Sequence, residues 1–208
     1  MGEINETILS SECLKVKTYR DNTLLGYLEK NIQRINYKKF KLTEIEAKLI
    51  NSYTGQNSSW INSELRSIGH NICNCKIQVQ NLINSGLNKL PSFNKNTVYR
   101  FEPNYINGTL TSKKWFRKKI GKIIKAPFFL STTKDKDWGN SEVVLKINTS
   151  VNSLGKDLSE IGINSSEKEV LFKTNSLFKI IDVNENFVEL NEIENITNTS
   201  IFWNIMKE

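Results

Sequence analysis

The spacing of apolar side chains changes character near Pro91. Before it the period is helical. Leu42, Ile45, Leu49, Ile50 and Tyr53 recur every three or four positions, which stacks them on one helix face. Thr43 and Glu46 have the spacing of a capping box, and the helix they open is expected to run to Gly55. Ile61, Leu65 and Ile68 predict a shorter helix over 59–67. Ile72, Cys75, Val79, Leu82 and Ile83 predict another over 72–87, ending around Gly86, and a further helix is expected over 23–36. After Pro91 the pattern is that of strands. Residues 97–101, 128–132, 142–148, 169–173, 177–183, 187–193 and 200–205 are short runs rich in β-branched or aromatic residues, parted by Asn, Gly and Ser. Helices followed by a run of strands make an α+β fold. Three short amphipathic helices enclose no core alone, so residues 36–208 are read as one domain and 1–35 as an N-terminal flank.

Composition narrows the class. The chain has 208 residues, 38% hydrophobic and 25% charged, which is globular and excludes a disordered or fibrous protein. No apolar stretch approaches the roughly 20 residues of a membrane helix. The acidic start, Met1 to Glu6, has no apolar core and reads as no Sec-type signal peptide. The net charge of +7 is concentrated between Lys113 and Lys125, either a solvated face or a docking surface for an acidic partner. Three cysteines, an odd count, argue against a disulfide framework and suit a reducing compartment. His70, Cys73 and Cys75 match no zinc spacing and lack a fourth ligand, so no metal is expected.

Chemistry enters with three stretches in order: Val98-Tyr99-Arg100, then Phe129-Leu130-Ser131-Thr132-Thr133, then Glu167-Lys168-Glu169 ahead of Val170-Leu171-Phe172. A site that ionises the nicotinamide–ribose bond of NAD needs a guanidinium for the pyrophosphate, because arginine alone offers a planar fork. It needs a carboxylate at the ribose to hold the 2′-hydroxyl and stabilise an oxocarbenium-like cation. A hydroxyl that keeps this carboxylate from swinging is useful. Arg100, Glu169 and Ser131 suit these roles. On one extended strand Glu167 and Glu169 would share a face, and the second carboxylate could orient and deprotonate an incoming nucleophile.

In these stretches the chain resembles the mono-ADP-ribosyltransferases of the arginine–serine–glutamate class, over about residues 40–183. Tyr53-Thr54 and Ile61-Asn62 with Leu65-Arg66 are similar to that family's N-terminal helices, and 154–166 to the turn-turn loop before its Glu-x-Glu. The resemblance implies helices packed on a mixed, largely antiparallel β-sandwich core. It implies NAD as co-substrate without a metal, and a nucleotide site of Arg100, Phe101, Ser131, Thr132, Thr133 and Glu169. Arg100, Ser131, Glu167 and Glu169 would be the catalytic set, and Glu167 implies arginine as acceptor. Phe101 stands where the family usually has glycine, and Thr133 replaces the second serine of its motif.

The expected activity is therefore ADP-ribose transfer to an arginine of a target protein. Its bearer would be a monomeric toxin or effector, secreted or injected without a Sec-type signal and acting in a target cell's cytoplasm, or else cytoplasmic. An immunity or inhibitor protein could cover the cleft. One rival is an NAD glycohydrolase, in which water intercepts the same cation. Another is a module that binds nucleic acid or another polyanion through Lys113–Lys125, which leaves the paired glutamates without a use.

Overall fold

The computed structural model describes residues 9–17, 23–24, 26, 28, 36–66, 73–103, 105–106, 109–194 and 200–202. The chain divides into two compact units, residues 1–90 with 160–164, and residues 91–159 with 165–208.

The first unit is helical. Helix α1 (Ser11–Leu14) is capped by the Ser10 hydroxyl, and a 3-10 turn follows at Tyr37–Phe40. Helix α2 (Glu44–Ser52) opens with the expected capping box between Thr43 and Glu46. The α-helix ends at Ser52, and Gly55, with φ −99° and ψ −127°, breaks the helical backbone near the expected end. A π turn, Tyr53–Asn57, carries the chain into α3 (Ser58–Leu65). Helix α4 (Asn74–Lys89), by contrast, runs past Gly86. A Cβ at Gly86 would stand 2.8 Å from Ile50 Cδ1 and 3.1 Å from Glu46 Cβ. The missing side chain lets α2 and α4 approach; it does not end the helix. Leu49, Ile50 and Tyr53 are buried, as are Val79, Leu82 and Ile83, positions that the sequence spacing marks, and Ala47 and Leu87 are buried beside them. Most of the helix expected over 23–36 lies outside the described residues.

Cys13 and Cys75 form a disulfide, with their Cα atoms 5.0 Å apart. This corrects the expectation drawn from the odd count, which carries no information about which pair meets in space. Cys73 is exposed and outside that bond, while Cys75 is withdrawn from the rejected metal grouping. His70 lies outside the described residues.

The second unit is built on strands β1 (Thr97–Phe101), β2 (Tyr105–Ile106), β3 (Thr109–Leu110), β4 (Ile123–Ala126), β5 (Leu130–Thr133), β6 (Val144–Asn148), β7 (Gly155–Asp157), β8 (Glu169–Phe172), β9 (Ser176–Val183), β10 (Val188–Ile193) and β11 (Ser200–Phe202). Nine of them hydrogen-bond in the order β11-β4-β9-β10-β6-β1-β5-β8-β7, and β2 pairs with β3. The sheet is mixed: β10 with β6 and β11 with β4 are parallel, the remaining pairs antiparallel. All four residues of β8 are buried, as its unbroken apolar run after Glu169 requires.

The basic stretch that the sequence presents only as charge is structured. Helix α5 (Lys113–Arg117) buries Trp115 and Phe116, and β4 buries Ile124 and Ala126. Between them Gly121 takes a φ of +82°, open to glycine at no steric cost. No helix among the described residues is long and apolar enough to cross a membrane.

Candidate active site

Strands β1, β5 and β8 are consecutive in the sheet. Tyr99 pairs with Thr133, and Thr133 pairs with Glu169. The three separated stretches of sequence thus become three neighbouring strands, with Arg100 on the first, Ser131 on the second and Glu169 opening the third. They border a cleft of about 310 Å³ lined by Tyr99, Arg100, Phe101, Ser131, Thr132, Thr133, Trp138, Gly139, Asn140, Glu167 and Glu169.

Glu169 is 5% exposed. Ser131 lies two residues before Thr133, the partner of Glu169, so its side chain falls on the same face at the diagonal position. From there its Oγ donates to Glu169 Oε1 at 2.6 Å. Burial pushes the Glu169 carboxyl up to about 7; the Ser131 bond opposes this, the charge of Glu167 adds to it, and Arg100 opposes it. At neutral pH the group is therefore poised between acid and carboxylate.

Glu167 reaches the cleft by a different route from the shared strand face expected for the pair. It closes a 3-10 turn, Ser165–Glu167, and Lys168 takes a φ of 47° before β8 begins. The turn is pinned by Thr133, whose Oγ1 donates to the Glu167 carbonyl at 2.6 Å and accepts from the Asp135 N–H at 3.0 Å. Burial also raises the Glu167 carboxyl.

The Arg100 guanidinium is held at all three nitrogens. Nε donates to Glu102 Oε1 at 2.8 Å and Nη2 to Oε2 at 3.2 Å, while Nη1 donates to the Ser131 carbonyl at 2.8 Å. Glu102 is absent from the residues that the sequence singles out. Its signal was available: a glutamate two positions after the arginine, which extended backbone places on the same side.

Around these groups the cleft is shaped by packing. Phe101 lies against Gly139, where a Cβ would stand 3.1 Å from the ring's Cγ. Thr132 turns its hydroxyl to the Val170 carbonyl at 2.6 Å. Trp138 is 43% exposed at the rim. The cleft therefore sets one fixed cation against two neighbouring acids. That charge pattern suits a ligand with phosphate oxygens at one end and a cationic or electron-poor centre at the other.

A family model described as ADP-ribosyltransferase exoenzyme matches residues 27–202. The fold is similar to that of the Clostridium limosum C3 exoenzyme, with a TM-score of 0.62 and 19% identity over 76% of this chain and 89% of that one. It is similar to the ADP-ribosyltransferase Vis crystallised with agmatine, at 0.60 and 21%, over 82% and 89%. It is also similar to the type III effector XopAI from Xanthomonas axonopodis pv. citri, at 0.62 and 17%, over 82% and 77%. No curated protein sequence matches the chain.

Proposed function

The chain belongs to the ADP-ribosyltransferase exoenzyme family, and we propose that it transfers ADP-ribose from NAD to an arginine side chain of a target protein, with release of nicotinamide. The observation that carries this reading is the convergence of Arg100, Ser131, Glu167 and Glu169 on one cleft.

In this reading Arg100 receives the pyrophosphate. Glu169, steadied by the Ser131 hydroxyl, holds the ribose 2′-hydroxyl and faces the positive charge that grows at C1′. As the C1′–N bond breaks, its electron pair leaves with nicotinamide, whose ring charge is thereby neutralised. A guanidinium nitrogen of the acceptor then bonds to C1′ and gives its proton to Glu167. Phe101, Thr132 and Thr133 shape the walls of the nucleotide site. A cleft of about 310 Å³ is small among ligand pockets, so it suits the nicotinamide–ribose end and leaves the adenosine outside.

The arginine acceptor is supported by the second carboxylate beside Glu169, whose burial raises its own affinity for a proton. It is supported also by Vis, a protein of similar fold crystallised with agmatine, itself a guanidinium compound. Service as a secreted or injected toxin or effector is supported by relatives described as exoenzyme and type III effector.

The test is incubation with labelled NAD and either agmatine or a cell lysate. Wild-type protein should label both, and Glu169→Gln neither. Glu167→Gln should lose transfer by about 10²-fold or more, the range expected for a lost general base, while much of its NAD hydrolysis survives. Wild-type protein that hydrolyses NAD without labelling any acceptor would establish the glycohydrolase instead. Equal loss of transfer and hydrolysis in Glu167→Gln would remove the separate task given to that residue.

A further inference from the structure

We infer that Glu102 is the positioning residue for Arg100, and that its buried carboxylate sets the plane in which the guanidinium meets the NAD pyrophosphate. The inference rests on the assignment of Arg100 made above. Both Glu102 oxygens are engaged, one by Nε and one by Nη2 of Arg100. This two-point contact fixes a plane, which a single-point contact cannot do.

Glu102 lies behind the arginine as seen from the cleft. Its side chain is 1% exposed against 13% for Arg100, and Arg100 lines the cleft while Glu102 is not among its lining residues. The carboxylate itself has a firm base. Glu102 N–H donates to the Val143 carbonyl at 3.0 Å, and its own carbonyl accepts from the Ser141 hydroxyl. An arginine has many rotamers to lose, and a preorganised partner removes that loss from the binding step.

The third contact links this arrangement to the reacting centre. Arg100 Nη1 donates to the carbonyl of Ser131, the residue whose hydroxyl holds Glu169. A guanidinium turned out of plane would therefore displace the phosphates relative to the carboxylate that faces the ribose. The buried acid also balances the arginine's charge before NAD arrives, so the cation is tolerated in a partly desolvated wall. Glu102 does not line the cleft, so its influence on a bound nucleotide passes through Arg100.

The experiment measures kcat and KM for NAD hydrolysis in wild type, Glu102→Gln, Glu102→Asp, Arg100→Lys and the double variant Arg100→Lys with Glu102→Gln, with thermal unfolding of each. Glu102→Gln keeps the shape but sets an amide N–H₂ against a guanidinium N–H, and should raise KM about 10-fold with a smaller change in kcat. Glu102→Asp keeps the charge and should recover part of the KM. In the Arg100→Lys background Glu102→Gln should change KM by less than about 2-fold, because the partner it orients is gone. Independent, multiplying effects in the double variant would overturn the inference, as would a Glu102→Gln with lowered thermal stability and unchanged KM. An Arg100→Lys that binds NAD normally would overturn the reading of Arg100 itself. A raised KM there beside a normal one in Glu102→Gln overturns only the role of Glu102. If Glu102→Gln does not fold, Glu102→Asp carries the same comparison, and an unchanged KM overturns the inference.

Discussion

Glu46 in the helical unit is 3% exposed and Glu169 in the sheet unit 5%, yet their carboxyls are driven in opposite directions. Burial pushes Glu46 up, but the Lys89 ammonium, the Thr43 N–H and the Ser85 hydroxyl together bring it below the usual carboxylate range. Those three donors stand at 2.7 Å each. Glu169 has the Ser131 hydroxyl, with the Arg100 charge acting as well, and a second acid beside it, and it is carried up to about 7. Both are withdrawn from solvent, but the surroundings of Glu169 are much the denser, so desolvation raises it further; the supply of donors and the sign of the neighbour add to that difference. Glu46 is a satisfied structural acid that joins α2 to α4. Glu169 is left with acceptor capacity that a ligand hydroxyl or a developing cation can use.

The contrast predicts its largest effect on turnover. Glu169→Gln should lower NAD turnover by about 10³-fold or more, the scale of losing an electrostatic stabiliser at the reacting centre. Glu46→Gln should leave the kcat of the folded protein within about 2-fold, because the residue lies outside the cleft. A comparable collapse of turnover in both variants, with both folded, would erase the distinction.

Stability should sort the two acids by pH. Glu46 has its folded value lowered, so its contribution is present above its unfolded value of 4.5 and is lost as pH falls through the folded one. Glu169 has its folded value raised from 4.5 to about 7, so its contribution is present below 4.5 and is lost as pH rises through about 7. Glu46→Gln should therefore weaken the protein by about 1–3 kcal/mol near pH 8, since Lys89 and the cap lose a charged acceptor. Glu169→Gln should strengthen it there by on the order of 2 kcal/mol, and by much less near pH 5. Urea unfolding midpoints at the two pH values check both signs.

What the sequence carried depended on the range of the interaction. The Thr43–Glu46 box is local and could be read directly, and so could the short β-branched and aromatic runs that deliver β1, β5 and β8. Gly86 was misjudged because a helix stop and a close helix approach both call for glycine, and only Ile50 across the gap decides between them. A shared face for Glu167 and Glu169 depended on extended backbone between them, and Lys168 leaves that conformation at φ 47°. The Cys13–Cys75 bond spans a separation of 62 residues, beyond anything a count of cysteines can register. Glu102 went unnoticed because an acid near an arginine is ordinary on a strand, and its significance lies in the burial of the carboxylate.

The smallest predicted effect isolates the neighbour from the burial. In kcat/KM for NAD hydrolysis, which reports groups of the free enzyme, activity should rise with pH through a midpoint near 7, as Glu169 ionises. Part of that elevation comes from the charge of Glu167. Glu167→Gln removes this charge while retaining hydrolysis, so its midpoint should move to lower pH. Added salt should change the difference little, because a pair inside a cleft is screened far less than surface charges. An unmoved midpoint would mean that the two acids are electrostatically independent. The difference between Glu169 and Glu46 would then have to come from desolvation and donor supply, leaving Glu167 a part in acceptor chemistry and none in setting the proton affinity of its neighbour.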